Sequence, residues 1–320
     1  MRKHNTTTGS ITYPDAVSYA FSPIGIRVYD SDISFTQLAV SVYDSNEQLY
    51  VKMRVSPYQG SAIVDLSGVS QAMFDAFNSH VSYLTPSPSP YATAMRVEVQ
   101  GVGDIFSFTT LVVWGSIFPY HSANPNPSTI YRAAGYPLLA TALLREGNAA
   151  GYTPSSYPAL VNYPVGDDTT SVNVGGEEIP VIDIPPVCGD AYYLRWVNAT
   201  GHICHYLFEK GKTQVKTKDY GEDIYGNALS PEYENGRYIA SRMQGKTAER
   251  TIELYAAVVD IPTREYLLSL LSSPLVDLYD VANDAWLSVE VNAGTTSIST
   301  LSYDDFIITI TVPSSDTQRL

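Results

Sequence analysis

Apolar and polar positions alternate along most of the chain, with the period of strands. In "QLYVKMRVSPY", Leu49, Val51, Met53 and Val55 fall on one side and Tyr50, Lys52 and Arg54 on the other, which predicts a half-solvated strand. The preceding run "ISFTQLAVSVYD" is separated from it by Ser45-Asn46-Glu47, a polar turn between two β-rich runs. "AMRVEVQG" and "DIFSFTTLVVWG" form a second pair around Gly101-Val102-Gly103. Between the pairs, "DLSGVSQAMFDAF" changes period. Val69, Met73, Phe74 and Phe77 recur at helical spacing, and Asp65 or Ser67 can cap the segment. This pattern predicts a first domain over 1–125, a β-sandwich closed by one short helix.

Proline then punctuates the pattern. "LTPSPSPY" (Leu84–Tyr91) cannot be a central strand and reads as an extended, exposed loop. "FPYHSANPNPS" (Phe118–Ser128) reads as the end of the first domain. Residues 126–180 are rich in small residues and broken by Pro and Gly, which predicts an irregular connector or arm. A loop that long inside a compact domain is unusual unless it has a function. Thr129–Pro180 is therefore the candidate for part of a subunit interface, and its removal is expected to leave two folded domains.

Strands return over 181–320. A hairpin turns at Asn198-Ala199-Thr200-Gly201, and "GKTQVKTKDYG", "GRYIASRM" and "ERTIELYAAVVD" follow. "PTREYLLSLLSS" predicts a helix over 263–272, capped by Thr263, with Tyr266, Leu267, Leu270 and Leu271 as its apolar stripe and Arg264 on its polar side. "PLVDLYD", a turn at Ala282-Asn283-Asp284, "AWLSVEV" and "YDDFIITITV" complete the chain. The fold class is mainly β, with two β-sandwich-like domains, each with about one short helix, joined by an irregular connector.

Composition narrows the function classes. The chain is 44% hydrophobic and 16% charged, a globular balance. A net charge of −14 argues against a broad basic face for specific nucleic-acid binding. No run approaches the roughly 20 apolar residues of a membrane-spanning helix, so no membrane insertion is expected. "MRKHNTTTGSITYP" lacks the apolar run of a secretory signal, and two cysteines cannot build a disulfide framework. The sequon Asn198-Ala199-Thr200 then reads as a turn.

Candidate chemistry concentrates in one place. Cys188, His202, Cys204 and His205 put both cysteines and two of the five histidines within a short segment. A structural zinc site takes four converging ligands, usually from tight pairs. Here strand alternation sends His202 and Cys204 one way and His205 the other, so the set reads as structural and no metal residue is assigned. At most, His202 and Cys204 could chelate together. The chain has no nucleophile elbow, phosphate loop, dinucleotide fingerprint or zinc-protease helix, so no catalytic or cofactor-binding residue and no cofactor is assigned, and the chain is not read as an enzyme. The acidic pairs Asp167-Asp168, Glu177-Glu178 and Asp304-Asp305 read as solvated charges. Lys210, Lys212, Lys216 and Lys218 are spaced by twos, with two readings: a solvated edge strand guarded by lysines, or a contact for an acidic partner such as another copy of this chain.

The stretches "YYLRWVNATGHICHYLFEKG", "EYLLSLLSSPLVDLYD", "AWLSVEV" and "DFIITITVP", with "DLSGVSQAMF" and "VVWGS" in the first half, resemble tail structural proteins of tailed bacteriophages, notably phages of gut Bacteroidetes. The resemblance covers about half the chain. It implies a virion structural protein of the distal-tail or baseplate-hub type. Such a protein would be made in the host bacterial cytoplasm and assembled as a homo-oligomeric ring, a hexamer by the same resemblance, among neighbouring tail or baseplate proteins. An acidic channel lining would also let DNA pass without sticking. The alternative is a carbohydrate- or receptor-binding module at the tail tip, for which Trp114, Trp196 and Trp286 are the obvious stacking residues. Each lies inside an apolar strand pattern, which favours core packing.

Overall fold

The computed structural model describes residues 1–30, 37–75, 80–101, 105–117, 126–187, 189–225, 241–292, 301–312 and 317–319. Strands make up 57% of it and helix 6%, so the fold is mainly β. The chain divides into two units. The first is Met1–Pro185 with Trp196–Tyr206, and the second is Pro186–Arg195 with Leu207–Leu320.

The first unit contains the expected sandwich. One sheet orders Arg2–Asn5, Gly9–Tyr13, Gly25–Asp30 and Ser61–Asp65. The other orders Val17–Tyr19, Phe106–Val113, Ala92–Gln100, Leu38–Tyr43 and Leu49–Val55. Inward residues of both sheets, among them Ile11, Ile26, Val28, Val40, Met95 and Val97, form one buried cluster. Val51, Met53 and Val55 pack against it from one side of their strand, as alternation predicts, but Leu49, expected on the same side, is 55% exposed, because the register shifts by one residue between Val51 and Leu49. The turn at Asp44–Gln48 is held by the Asp44 carboxylate, which accepts from the amides of Asn46 and Gln48, both at 2.9 Å. The helix is short, Ser67–Ala72, and the Asp65 carboxylate accepts from the Ser67 amide at 3.0 Å. Phe77 and the expected turn residues Val102 and Gly103 lie outside the described residues.

The stretch 126–180 differs from the expected irregular connector. Ile130–Arg132, Glu177–Asp183 and Ser171–Val174 form one three-stranded sheet, and Leu139–Leu144, Ala159–Pro164 and Ser87–Pro88 form another. Together they enclose a core that includes Ala142, Leu144, Val161, Tyr163, Val172 and Ile179. The physical reason is burial on both faces. All six residues of Leu139–Leu144 are buried, so the strand shows no alternation for a period to detect. Leu143 and Leu160 also pack with Tyr19 and Val113 of the sandwich, so the module belongs to the first unit. The Pro-rich loop is likewise not wholly exposed. Ser87–Pro88 pairs with Asn162 and Val161 at a sheet edge, where a missing amide is tolerated, and Ser89 is buried.

In the second unit the expected strands that lie within the described residues fall on two long ones, while 236–240 of "GRYIASRM" lie outside the described residues. Ile203–Tyr225, whose first residues lie in the first unit, pairs with Ser241–Asp260, which pairs in turn with Tyr303–Val312. Along the last of these, Phe306, Ile308 and Ile310 are buried in alternation. The helix is Ile261–Leu271, and its cap is Asp260 rather than Thr263. The Asp260 carboxylate accepts from the Thr263 amide at 2.9 Å, and Pro262 sits in the first turn, where its fixed φ suits a helix start. Of the expected stripe, Leu267 and Leu270 are fully buried, Tyr266 is half-buried and Leu271 is exposed, because it falls past the edge of the buried face at the last turn. Arg264 is not on a solvated side. It is 6% exposed, one helical step from Leu267, and its Nη2 donates to the Leu301 carbonyl at 3.0 Å.

Candidate functional site

The His/Cys hairpin is part of the core. Every residue from Gly201 to Phe208 is buried, so both faces of this strand are covered. His205 faces Tyr83, with 3.1 Å between its Nε2 and the Tyr83 hydroxyl. His202 contacts different groups. Its Nδ1 lies 3.0 Å from the Thr200 hydroxyl and its Nε2 3.3 Å from Asn126 Oδ1. Cys188 lies outside the described residues. Among the described residues no group of three or more His, Cys, Asp or Glu side chains is placed to hold a metal ion. Purified protein should contain well under one zinc per chain, and a chelator should leave its melting temperature unchanged. Stoichiometric zinc with chelator-sensitive folding would overturn this reading.

Around His202 lies a buried polar network that the sequence pattern did not show. Asn198 Oδ1 accepts from the amides of Thr200 and His202, both at 2.9 Å, and so closes the turn at the sequon. Asn126 Oδ1 accepts from the Leu143 amide at 2.7 Å. Thr141 donates to Asn162 Oδ1 at 2.8 Å and accepts from the Ile203 amide at 3.1 Å. Gly201, at φ +78, completes the turn where a Cβ would run into Val113. Polar residues inside "LLATALL" and "ALVNYP" were the available signal, because a polar group within a fully buried run needs an internal partner.

Burial, opposed in part by the Thr200 backbone, pushes His202 from 6.5 down to about 4. Between those values the unfolded chain takes up a proton that the folded protein does not. Stability therefore falls as pH drops from 6.5 towards 4, in full by roughly 3 kcal/mol. Denaturant melts across this window should show that slope, and His202→Gln should flatten it. An unchanged slope in the variant would exclude His202 as its source.

The tryptophans pack rather than stand open. Trp196 is 1% exposed. Trp114 meets Phe21 and Phe74 edge to face. Trp286 lies against Tyr279 and Tyr193, and Arg195 covers its ring at 4.3 Å while pairing with Asp277 at 2.9 Å. Of the acidic pairs, Asp167, Asp168, Glu177 and Glu178 are exposed. Asp305 accepts the Val258 amide at 2.8 Å, a structural role.

The lysine stretch gives the most developed surface. The strand is joined on one side to Ala191–Val197 through the tight turn, and that neighbour reaches only as far as Lys210, whose amide donates to the Asp190 carbonyl at 2.9 Å. Beyond this point the strand pairs only with Ser241–Asp260 among the described residues, and its other edge is open. A bulge at Gly211-Lys212 shifts the register by one residue. The four lysines therefore do not share a face. Lys210 is tied to Asp190 at 3.0 Å, whereas Lys212, Lys216 and Lys218 stand together. Their face continues through Glu249, Thr251 and Glu253 to Thr309 and Asn292, lining a groove of about 320 Å³. Lys218 pairs with Glu249 at 2.7 Å and holds its carboxyl below the usual range. Ile252, Leu254, Ile308 and Ile310 alternate with these positions and are buried. Every side chain from Lys212 to Asp219 is exposed, including those on the opposite face.

No family model matches the chain, and no curated protein matches it. Among solved structures, extracellular domains 3–5 of Drosophila OTK are similar at 7% identity and a TM-score of 0.21, covering 77% of this chain and 93% of that one. At that score the likeness carries no argument about fold or function.

Proposed function

We propose that the chain is a structural subunit that assembles through exposed strand surfaces, in the setting its sequence resemblance implies: a ring at the tail tip of a tailed phage. One observation carries the reading. The strand Ile203–Tyr225 runs past its neighbour with one edge open and with both faces solvated from Lys212 to Asp219 among the described residues. A strand without burial on either face gains little from its own fold, and an open edge offers backbone groups to another chain. Ring closure would cover such surfaces in every copy. The reading involves no catalytic step and no cofactor.

The alternative, a glycan- or receptor-binding module at the same tail tip, needs an accessible aromatic platform. The packing of Trp114 and Trp196 and the Arg195 cover on Trp286 disfavour it. Negative-stain microscopy of purified protein should show closed particles. Monodisperse single chains that bind a glycan array would favour the alternative.

A further inference from the structure

Resting on that reading, we propose that the lysine face of one copy docks on the acidic hairpin Ser171–Asp183 of a second copy. Lys212, Lys216 and Lys218 oppose only Glu249 and Glu253 in their groove, which leaves a locally cationic face on a chain of net charge −14. A surface of complementary charge is present in the chain itself. The module 126–185 sets six carboxylates against Arg132 and Arg145, and the Arg132 guanidinium is already engaged by Asp183. At its outer end the strands Ser171–Val174 and Glu177–Asp183 turn through Gly175-Gly176, both at positive φ, which places exposed Glu177 and Glu178 at a tight tip. Asp167 and Asp168 are exposed in the preceding turn.

The lysine face offers ammonium groups on one side of a strand, and the hairpin offers exposed carboxylates beside its turn. The two surfaces are different patches of the chain, so each copy presents both halves, and a head-to-tail arrangement of copies, as the proposed ring requires, engages one of each. Because the groups are solvent-exposed, the association is salt-sensitive on the scale of the Debye length, about 8 Å at physiological ionic strength.

Sedimentation velocity at low ionic strength tests this on the full chain. Wild type should associate, and added salt should reverse it. Lys216→Glu/Lys218→Glu should weaken association about tenfold or more, a change of about 1.4 kcal/mol. Glu177→Lys/Glu178→Lys should do the same, each variant keeping a cooperative melting transition. Mixing the two variants should restore association, since each then meets the opposite charge. If both variants associate like wild type, the docking surface is overturned while the assembly reading stands. If only the lysine variant is impaired and mixing gives no rescue, the acidic hairpin is the wrong counterpart. A wild type that stays monomeric at low salt overturns the docking surface, and the composition of virions then decides the assembly reading separately.

Discussion

Deleting residues 129–180 should leave no cooperatively folded first unit, in contrast to the two intact domains that the sequence pattern suggested. The deleted stretch supplies four whole strands and part of a fifth to two three-stranded sheets, with most of the buried core they enclose, including Ala142, Leu144, Val161 and Tyr163. Its strand Ala159–Pro164 also holds Ser87–Pro88, and Leu143 and Leu160 cover Tyr19 and Val113 of the sandwich. Thr141 satisfies the Ile203 amide, so the hairpin carrying His202 would lose a buried partner too. Truncating one buried leucine costs about 2–5 kcal/mol, and a whole domain is stable by only about 5–15 kcal/mol. The deletion therefore removes more than the unit has to spare. The product should bind a hydrophobic dye and lack a sharp near-ultraviolet melting transition. A soluble, monodisperse product with a wild-type melt would show that the module is an independent arm.

Leu267→Ala and Leu270→Ala should each destabilise the protein by roughly 2–5 kcal/mol, because both side chains are fully buried on the helix Ile261–Leu271. Arg264→Ala should also be costly. It removes a buried stem packed in line with Leu267 and leaves the Leu301 carbonyl without the guanidinium it accepts from. About 1–3 kcal/mol is expected for it. Denaturant midpoints with unchanged slopes would report all three. An Arg264→Ala variant as stable as wild type would place that side chain in solvent.

Period-2 alternation made the sandwich strands legible, because a half-solvated strand writes its burial into the sequence. Leu49–Val55 from Val51 onward is a case in the sandwich, and Tyr303–Val312 in the second unit follows the same rule. Leu139–Leu144 was not legible for the opposite reason, since burial on both faces erases the alternation. The helix body is readable from its leucines, but its start is not, because Thr263 is itself a capping residue type and stands just after Pro262, whereas the cap is Asp260 and Pro262 lies in the first turn. Arg264 was misplaced because a charged side chain was equated with solvent, although its long stem can pack while its head finds a carbonyl. The lysine spacing was visible, but the bulge at Gly211-Lys212 that removes Lys210 from the shared face is a property of pairing with a distant strand. The buried network around His202 joins Asn126, Thr141 and Asn198, which are far apart in sequence.

A chain that builds part of a virion, as we propose, has to be present in the finished particle. Mass spectrometry of purified particles of a phage that encodes the chain should recover its peptides from both units, at a stoichiometry matching other tail-tip proteins. Particles that are complete and infectious yet contain none of its peptides would contradict the account.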